Sequence, residues 1–121
     1  MKKYCFINVL KPEYKENYMN IHKTAPMEIL QALKDNGAEE EVIYIYRDIA
    51  IVYVKTDDYE VFMKGFGETE CGKKWYQTVV PWLSEEEEQC LDADGNFNSD
   101  MDVLEKVFDL EQQLNGKLKQ F

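Results

Sequence analysis

The sequence has a single histidine, three cysteines and three prolines among its 121 residues, and none of its apolar runs is long. Cys5, Cys71 and Cys90 are odd in number and far apart, which excludes a disulfide framework and a CxxC metal knuckle. No apolar stretch reaches the roughly 20 residues of a membrane-spanning helix, and the one after Met1 is too short for a signal peptide. We therefore expect a reduced, cytoplasmic setting.

Basic residues are also scarce, with 14 lysines and arginines against 24 acidic residues and a net charge of −10. Such a chain repels phosphate backbones and anionic lipids, so we expect neither nucleic acid nor membrane as a partner. A neutral small molecule, a cation or another protein remains possible. The length fits one domain but is too short to enclose a deep cleft. We therefore expect a site that is shared with a second subunit or lies on a sheet face.

Hydrophobic periodicity predicts strands and helices along most of the chain. A strand at Tyr4–Val9 is followed by a helix from Glu13 that ends at Asn36-Gly37. The later predicted elements are a hairpin, two helices and a last strand: Val42–Tyr46 with Ile49–Lys55, Tyr59–Gly65, Thr69–Val80 and Val103–Leu110. Within the first helix, Thr24-Ala25-Pro26 is a possible break, and after the last strand the charged residues 111–121 are either a short helix or a frayed tail.

This order is the βαββαβ pattern of the ferredoxin-like α+β fold. We expect one such domain over residues 1–110, with an acidic loop at 84–102 inserted before the last strand and a charged C-terminal tail at 111–121. In that fold helices cover one face of the sheet. Because both faces of the predicted strands carry large apolar residues, a second copy of the chain is the simplest cover for the other face. The expected assembly is a homodimer that forms a dimeric α/β barrel.

His22 is the only residue that can supply histidine chemistry. Tyr18 lies four residues earlier, on the same face of the predicted helix, about 5–6 Å away between Cβ atoms. The pair offers a group that titrates near neutral pH and a phenol that can hydrogen-bond a hydroxyl group. The alternative is a histidine on the helix surface without a catalytic role.

Aromatic residues cluster at Trp75-Tyr76, with Trp82 further along. Adjacent helical residues point to different sides, so one of the pair is expected in the core and the other in a pocket. From composition alone, these aromatic residues are expected to fill the hydrophobic core, but aromatic faces also pack against sugar rings. Asp92–Asp100 resembles a calcium loop only in its oxygen side chains, since Phe97 stands where the turn needs glycine and Val103 where a glutamate is needed. We expect no metal there and no cofactor.

Several short motifs occur in an order that resembles the L-rhamnose mutarotase family. They are Tyr18-x-x-x-His22, Leu33-Lys34-x-x-Gly37-Ala38, Ile43-Tyr44, Cys71-x-x-x-Trp75-Tyr76 and Val103-Leu104-x-x-Val107-Phe108-x-Leu110. The resemblance extends from about Tyr4 to Leu110. It implies a ferredoxin-like dimeric α/β barrel that interconverts the α and β anomers of a deoxy-sugar, without cofactor or metal.

The resemblance also implies roles for single residues. His22 corresponds to the family's proton donor and Tyr18 to a sugar-binding tyrosine. Trp75 and Tyr76 correspond to two adjacent sugar-binding tryptophans, although alignment on Cys71 would make the pair Lys74-Trp75 instead. Glu41 stands where the family has a sugar-contacting tyrosine, and this difference widens the expected substrate beyond L-rhamnose.

The leading hypothesis is a cofactor-independent isomerase, an aldose mutarotase acting on a neutral 6-deoxy-hexose of the L-rhamnose or L-fucose type. A non-catalytic ligand-binding or regulatory module on the same dimeric barrel is the alternative. A cofactor-free monooxygenase of similar fold is a third hypothesis, and no residue pattern favours it.

Overall fold

The computed structural model describes residues 1–84 and 104–120. Its strands are β1 (Lys2–Val9), β2 (Glu40–Tyr46) and β3 (Ile49–Thr56). Its α-helices are α1 (Lys15–Lys23), α2 (Met27–Asp35), α3 (Tyr59–Glu68), α4 (Glu70–Val79) and α5 (Leu110–Gln120). Two 3₁₀ turns, Pro12–Tyr14 and Val80–Trp82, precede α1 and follow α4. No described helix is long and apolar enough to cross a membrane.

The described sheet has the antiparallel order β1-β3-β2. β2 and β3 form the predicted hairpin, whose two-residue turn places Arg47 at a φ of 55°. A short hairpin turn of this kind needs positive φ because only then does the turn follow the twist of the strands. The predicted first strand and hairpin are thus confirmed in position and pairing.

Local sequence signals account for the helix boundaries. Pro26 separates α1 from α2, because proline lacks an N–H and keeps the preceding residue out of helical geometry. Gly37 follows α2 with a φ of 108°, which glycine adopts without strain. Asp58 and Thr69 cap α3 and α4 by accepting hydrogen bonds from backbone N–H groups of the first turn. The helices predicted at these places are confirmed.

Alternate residues of the strands face the helices and form the core. Phe6, Val52 and Val54 on this covered face are at most 3% exposed, and they pack with Phe62 and Phe66 of α3. A second cluster lies towards α1 and the end of α4, with Leu10, Tyr18, Ala50, Val79 and Leu83.

The other side of the sheet is apolar as well. Three of its cross-strand rows, which we call the open sheet face, contain nine apolar or aromatic residues: Cys5–Tyr53–Val42, Ile7–Ile51–Tyr44 and Val9–Ile49–Tyr46. A fourth row at the end of the sheet, Lys3–Lys55–Glu40, is charged and does not belong to it. Tyr44 and Tyr46 are 65% and 57% exposed. Helices α1 to α4 pack on the opposite face, as expected for the ferredoxin-like arrangement; the fold is a small α+β fold with an antiparallel sheet.

The predicted last strand, Val103–Leu110, is wrong over the described residues 104–110. Residues 104–109 have no regular secondary structure and α5 begins at Leu110, which confirms the helical alternative for the C-terminal tail. A single backbone bond, from the Leu104 N–H to the Cys5 carbonyl at 2.7 Å, holds this segment at the edge of β1. Val107 and Phe108 are 85% and 64% exposed, so little apolar burial stabilises a fourth strand here. Of the predicted acidic loop, 85–102 lies outside the described residues, as does Val103.

Asp109 determines where the chain turns into α5. Its carboxylate accepts a hydrogen bond from the Gln112 N–H at 3.0 Å, which is the geometry of a helix cap. Lys3 of β1 and Lys106 contact the same carboxylate at 3.0 and 3.6 Å. The cap and the ion pairs hold the pKa of Asp109 down at about 2. The start of α5 is therefore anchored to the edge of the sheet.

Candidate active site

A cavity of about 510 Å³ lies between the covered face of the sheet and helices α1, α2 and α4. This volume suits a small ligand such as a monosaccharide. All four residues predicted for the site, Tyr18, His22, Trp75 and Tyr76, line it. The fold therefore brings the two predicted pairs, more than 50 positions apart in the chain, to one cavity.

His22 lies on the cavity wall near the end of α1, one helical turn after Tyr18. Its Nδ1 is 2.7 Å from the Tyr18 carbonyl oxygen, and because a carbonyl only accepts, Nδ1 must carry the proton. In the neutral ring Nε2 is then the nitrogen that can accept a proton. Burial lowers the pKa of His22 below 6.5, partly offset by the bond to the Tyr18 carbonyl. The resting imidazole is therefore neutral at pH 7.

Two aromatic rings fix the orientation of this imidazole. The Tyr18 ring lies 4.2 Å from it between centroids, and the Trp75 indole meets it at 5.2 Å with an interplanar angle of 85°. An edge-to-face contact of this kind is the geometry that aromatic rings favour. Tyr18 is 2% exposed, so its ring is part of the packed wall. Trp75 is half-buried and keeps accessible surface beside the imidazole.

Trp75 and Tyr76 divide as expected for adjacent helical residues. Tyr76 is 6% exposed, packs edge-on against Phe66 and donates from its hydroxyl to the Met63 carbonyl at 3.5 Å. It closes the inner end of the cavity as a core residue. Lys74 is exposed and paired with Glu70, and it does not line the cavity. The aromatic pair at the cavity is therefore Trp75-Tyr76 rather than Lys74-Trp75. Trp82 packs on Tyr14, outside the cavity.

Six polar or charged residues of the cavity were not among the predicted site residues, and two of them, Asn8 and Glu41, belong to the covered face of the sheet. Asn8 of β1 is 8% exposed, and Glu41 of β2 lies on the same covered face. Glu41 is exposed by surface area, but the protein around the cavity desolvates its carboxyl group and raises its pKa to about 7. Strand alternation was the available signal, because it puts both residues on the side of Phe6 and Ile43.

The cavity offers acid–base chemistry and aromatic contact surface. Within residues 1–84 and 104–120, no group of three or more histidine, cysteine or acidic residues is placed to hold a metal ion. The calcium-like segment Asp92–Asp100 lies outside the described residues, so the absence of a metal stays a prediction. Neutral His22 and a carboxyl group that titrates near 7 are suited to moving protons at physiological pH.

Comparison with known proteins shows the family of the chain. A sequence profile described as L-rhamnose mutarotase matches residues 3–110. The L-rhamnose mutarotase of Listeria monocytogenes serovar 1/2a (strain ATCC BAA-679 / EGD-e) is 31% identical over 83 residues, which cover 67% of this chain and 79% of the relative. These matches place the chain among the isomerases that act on carbohydrates. More narrowly, it belongs to the L-rhamnose mutarotase family and is a sugar mutarotase.

Solved structures show the same fold. The crystal structure of an L-rhamnose mutarotase from Formosa agariphila superposes with a TM-score of 0.68 at 23% identity, covering 91% of this chain and 99% of that one. Tetracenomycin F2 cyclase from Streptomyces glaucescens, a type-II polyketide cyclase, gives a TM-score of 0.51 at 14% identity, covering 90% and 96%. At these identities the likeness concerns the fold alone.

Proposed function

We propose that this chain interconverts the α and β anomers of a neutral 6-deoxy-hexose of the L-rhamnose or L-fucose type, with His22 as the proton donor. One observation carries the proposal: the only histidine of the chain lies on the cavity wall with Nδ1 bound to a carbonyl, so that Nε2 is left to exchange protons with a ligand. The family's name supports a sugar as the ligand. A neutral sugar also suits a chain with a net charge of −10.

The reaction needs one proton to arrive and one to leave. Opening the pyranose ring protonates the ring oxygen and removes the proton of the anomeric hydroxyl, and the C1–O5 bond breaks as the C1 carbonyl forms. Rotation about C1–C2 exposes the other carbonyl face, and closure reverses both proton transfers. Neutral His22 takes the anomeric hydroxyl proton through Nε2 during opening and donates it back during closure, and the proton that the ring oxygen gains and loses comes from a second acid or from solvent. No covalent intermediate or redox step is required.

Aromatic side chains would hold the sugar beside the imidazole. The accessible surface of Trp75 offers an apolar face for the C–H groups of the ring, next to His22 at 5.2 Å. Tyr18 and Tyr76 form the packed walls behind it and limit how the sugar can rotate. We assign all three as substrate-binding residues.

We also propose that the active protein is a homodimer joined through the open sheet face, which would complete a dimeric α/β barrel. The nine residues of its three rows are apolar or aromatic, the charged row Lys3–Lys55–Glu40 borders them at one end, and helices α1 to α4 pack on the opposite side. An apolar area of this extent is typical of an interface between subunits. A cytoplasmic location remains part of the prediction.

Saturation-transfer NMR on equilibrated neutral aldoses tests the proposed activity. Wild-type protein is expected to accelerate anomer exchange of at least one 6-deoxy-hexose, and His22→Ala to lower that rate by about 10²–10⁴-fold while still binding the sugar. Asn20→Ala is the matched control, because Asn20 is exposed on the same helix and does not line the cavity. The proposal fails if no sugar exchanges faster than in buffer, or if His22→Ala is as active as wild type. A protein that binds a sugar without exchange would instead be the non-catalytic module.

A further inference from the structure

Glu41 is a carboxylic acid in an otherwise apolar part of the sheet. It is paired in register with Val54, which is 0% exposed and itself paired with Tyr4 on the other side. The alternation of β2 turns Glu41 to the covered face together with Ile43 and Ile45, and away from the open sheet face. The side chain therefore borders the cavity that His22 borders from the opposite layer.

No structural partner among the described residues explains this carboxyl group. Its neighbours are both engaged elsewhere, since Glu39 pairs with Lys55 at 3.6 Å and Glu40 accepts from the Tyr53 hydroxyl at 3.1 Å. For Glu41 itself, residues 1–84 and 104–120 provide neither an ion pair nor a side-chain hydrogen bond. Glu41 is exposed by surface area and borders the cavity, so a ligand in the cavity is the simplest partner for its carboxyl group.

The other charged groups at the cavity are few. Lys23 at the end of α1 and Lys34 of α2 line it, and the Lys34 ammonium donates to the Glu39 carbonyl at 2.7 Å. Glu39, just before β2, and Glu40 of β2 line it as well, and α3 and α4 add no charged side chain to its wall. At this wall the pKa of Glu41 is raised to about 7 and the pKa of His22 is lowered from 6.5.

We propose that Glu41 is the second proton-transfer group of anomer exchange and acts with His22 on the same bound sugar. This inference rests on the proposed function. During opening, the Glu41 carboxyl group donates its proton to the ring oxygen as the C1–O5 bond breaks, while Nε2 of neutral His22 takes the anomeric hydroxyl proton and the C1 carbonyl forms. During closure, the imidazolium returns a proton to the carbonyl oxygen and the Glu41 carboxylate takes one from the C5 hydroxyl.

The two-group scheme predicts how the rate depends on pH. In the active form the His22 imidazole is neutral and the Glu41 carboxyl group is protonated. The rate should fall above about pH 7 as Glu41 loses its proton, and fall again in acid as His22 gains one. In a site where His22 alone supplies the proton, the rate would fall as the pH rises through the His22 pKa, below 6.5, and would have no separate fall near pH 7.

Glu41→Gln tests the inference, because it keeps the shape of the side chain and removes its proton exchange. We expect kcat to fall by about 10²–10³-fold, KM to change less than about threefold, and the alkaline fall to disappear. Glu41→Asp should recover part of kcat and restore the alkaline fall. Glu60→Gln is the control for lost charge, since Glu60 is exposed on α3 and does not line the cavity.

The outcomes separate this inference from the proposed function. The inference is wrong and the proposed function stands if wild type accelerates exchange and Glu41→Gln keeps kcat within about threefold. The same conclusion follows if Glu41→Gln raises only KM and leaves the pH profile unchanged. If wild type accelerates no sugar, both are wrong. Should Glu41→Gln not fold, carbon-13 NMR of the wild-type glutamate carboxyls decides. A carboxyl that titrates near 7 and shifts on addition of the exchanged sugar supports the inference, and its absence overturns it.

Discussion

The two faces of the sheet are built from different residues, and the difference is the reverse of the usual one. In an ordinary two-layer protein, the strand positions that point away from the helices are polar. Here the three rows of the open sheet face are apolar and only the row at its end, Lys3–Lys55–Glu40, is charged, whereas the covered face includes Asn8 and Glu41 beside the cavity. Under the proposed function, the covered face would serve binding and chemistry, and the open sheet face would serve association.

Substitutions in neighbouring positions of β1 probe this comparison most strongly. Phe6 is 3% exposed on the covered face, and we expect Phe6→Ala to lower the free energy of unfolding by about 3–5 kcal/mol. Ile7 is half-buried on the open face, and Ile7→Ala should cost about 1–2 kcal/mol in dilute solution and more as the dimer forms. Urea unfolding at several protein concentrations measures both. If both substitutions lowered the free energy of unfolding by the same amount at every protein concentration, the two faces would not differ in this way.

A charge on the open face should dissociate the dimer and leave the subunit folded. Ile51 is the central residue of the open sheet face, between Ile7 and Tyr44. We expect Ile51→Lys to raise the dimer dissociation constant by at least about 100-fold, because a desolvated lysine without a partner costs several kcal/mol. Sedimentation equilibrium measures it, with circular dichroism as the check of folding.

Val61→Lys is the control for this change. Val61 is 67% exposed on α3, so it is another exposed apolar residue but lies on the helix layer. The Val61→Lys substitution should leave the dimer intact. A wild-type protein that sediments as a monomer, or an Ile51→Lys variant that remains dimeric, would contradict the assignment of the open face as the interface.

The smallest effect is expected at the border of the open face, where Asp109 is held by the Gln112 N–H and Lys3. Its folded pKa of about 2 lies below the ordinary 3.8, so the ionised form stabilises the fold. That stabilisation is complete above about pH 4 and is lost as the pH falls through about 2. Asp109→Asn should therefore lower the thermal midpoint at neutral pH and flatten its dependence on pH in acid.

Glu111→Gln provides the comparison for Asp109. Its carboxylate is 3.7 Å from Lys3 and 68% exposed, so its contribution to stability should be close to zero. Thermal unfolding followed by circular dichroism, from neutral pH down to about pH 2, distinguishes the two variants. Identical curves for Asp109→Asn and wild type would show that this anchor adds nothing.

Local patterns were sufficient to predict three strands and the helices. The hairpin followed from two β-branched runs around Arg47-Asp48, and the end of α2 from Asn36-Gly37. The last strand was misjudged because alternation in residues 103–110 describes the segment alone, whereas a strand also needs a partner along its length. Within the described residues 104–109, the bond from the Leu104 N–H to the Cys5 carbonyl is the one backbone hydrogen bond to β1.

Only the part of the site that lies on one helix could be predicted from the sequence. His22 and Tyr18 could be paired from their spacing on one helix, but the contact of His22 with Trp75 depends on how α1 and α4 pack. The tautomer of His22 depends on a backbone carbonyl, which no residue pattern reveals. The raised pKa of Glu41 arises from surrounding protein contributed by distant segments, and it required the structure.

The bond between Nδ1 of His22 and the Tyr18 carbonyl has a practical consequence, because the chain has no other histidine. Nitrogen-15 spectra of the protein contain one imidazole, and a fixed tautomer gives its two nitrogens separate, assignable resonances. The Nδ1 signal reports whether the end of α1 stays intact, and the Nε2 signal reports what occupies the cavity. Isotope labelling of this one histidine thus provides a spectroscopic probe of both helix integrity and ligand binding, without any substitution or attached reporter group.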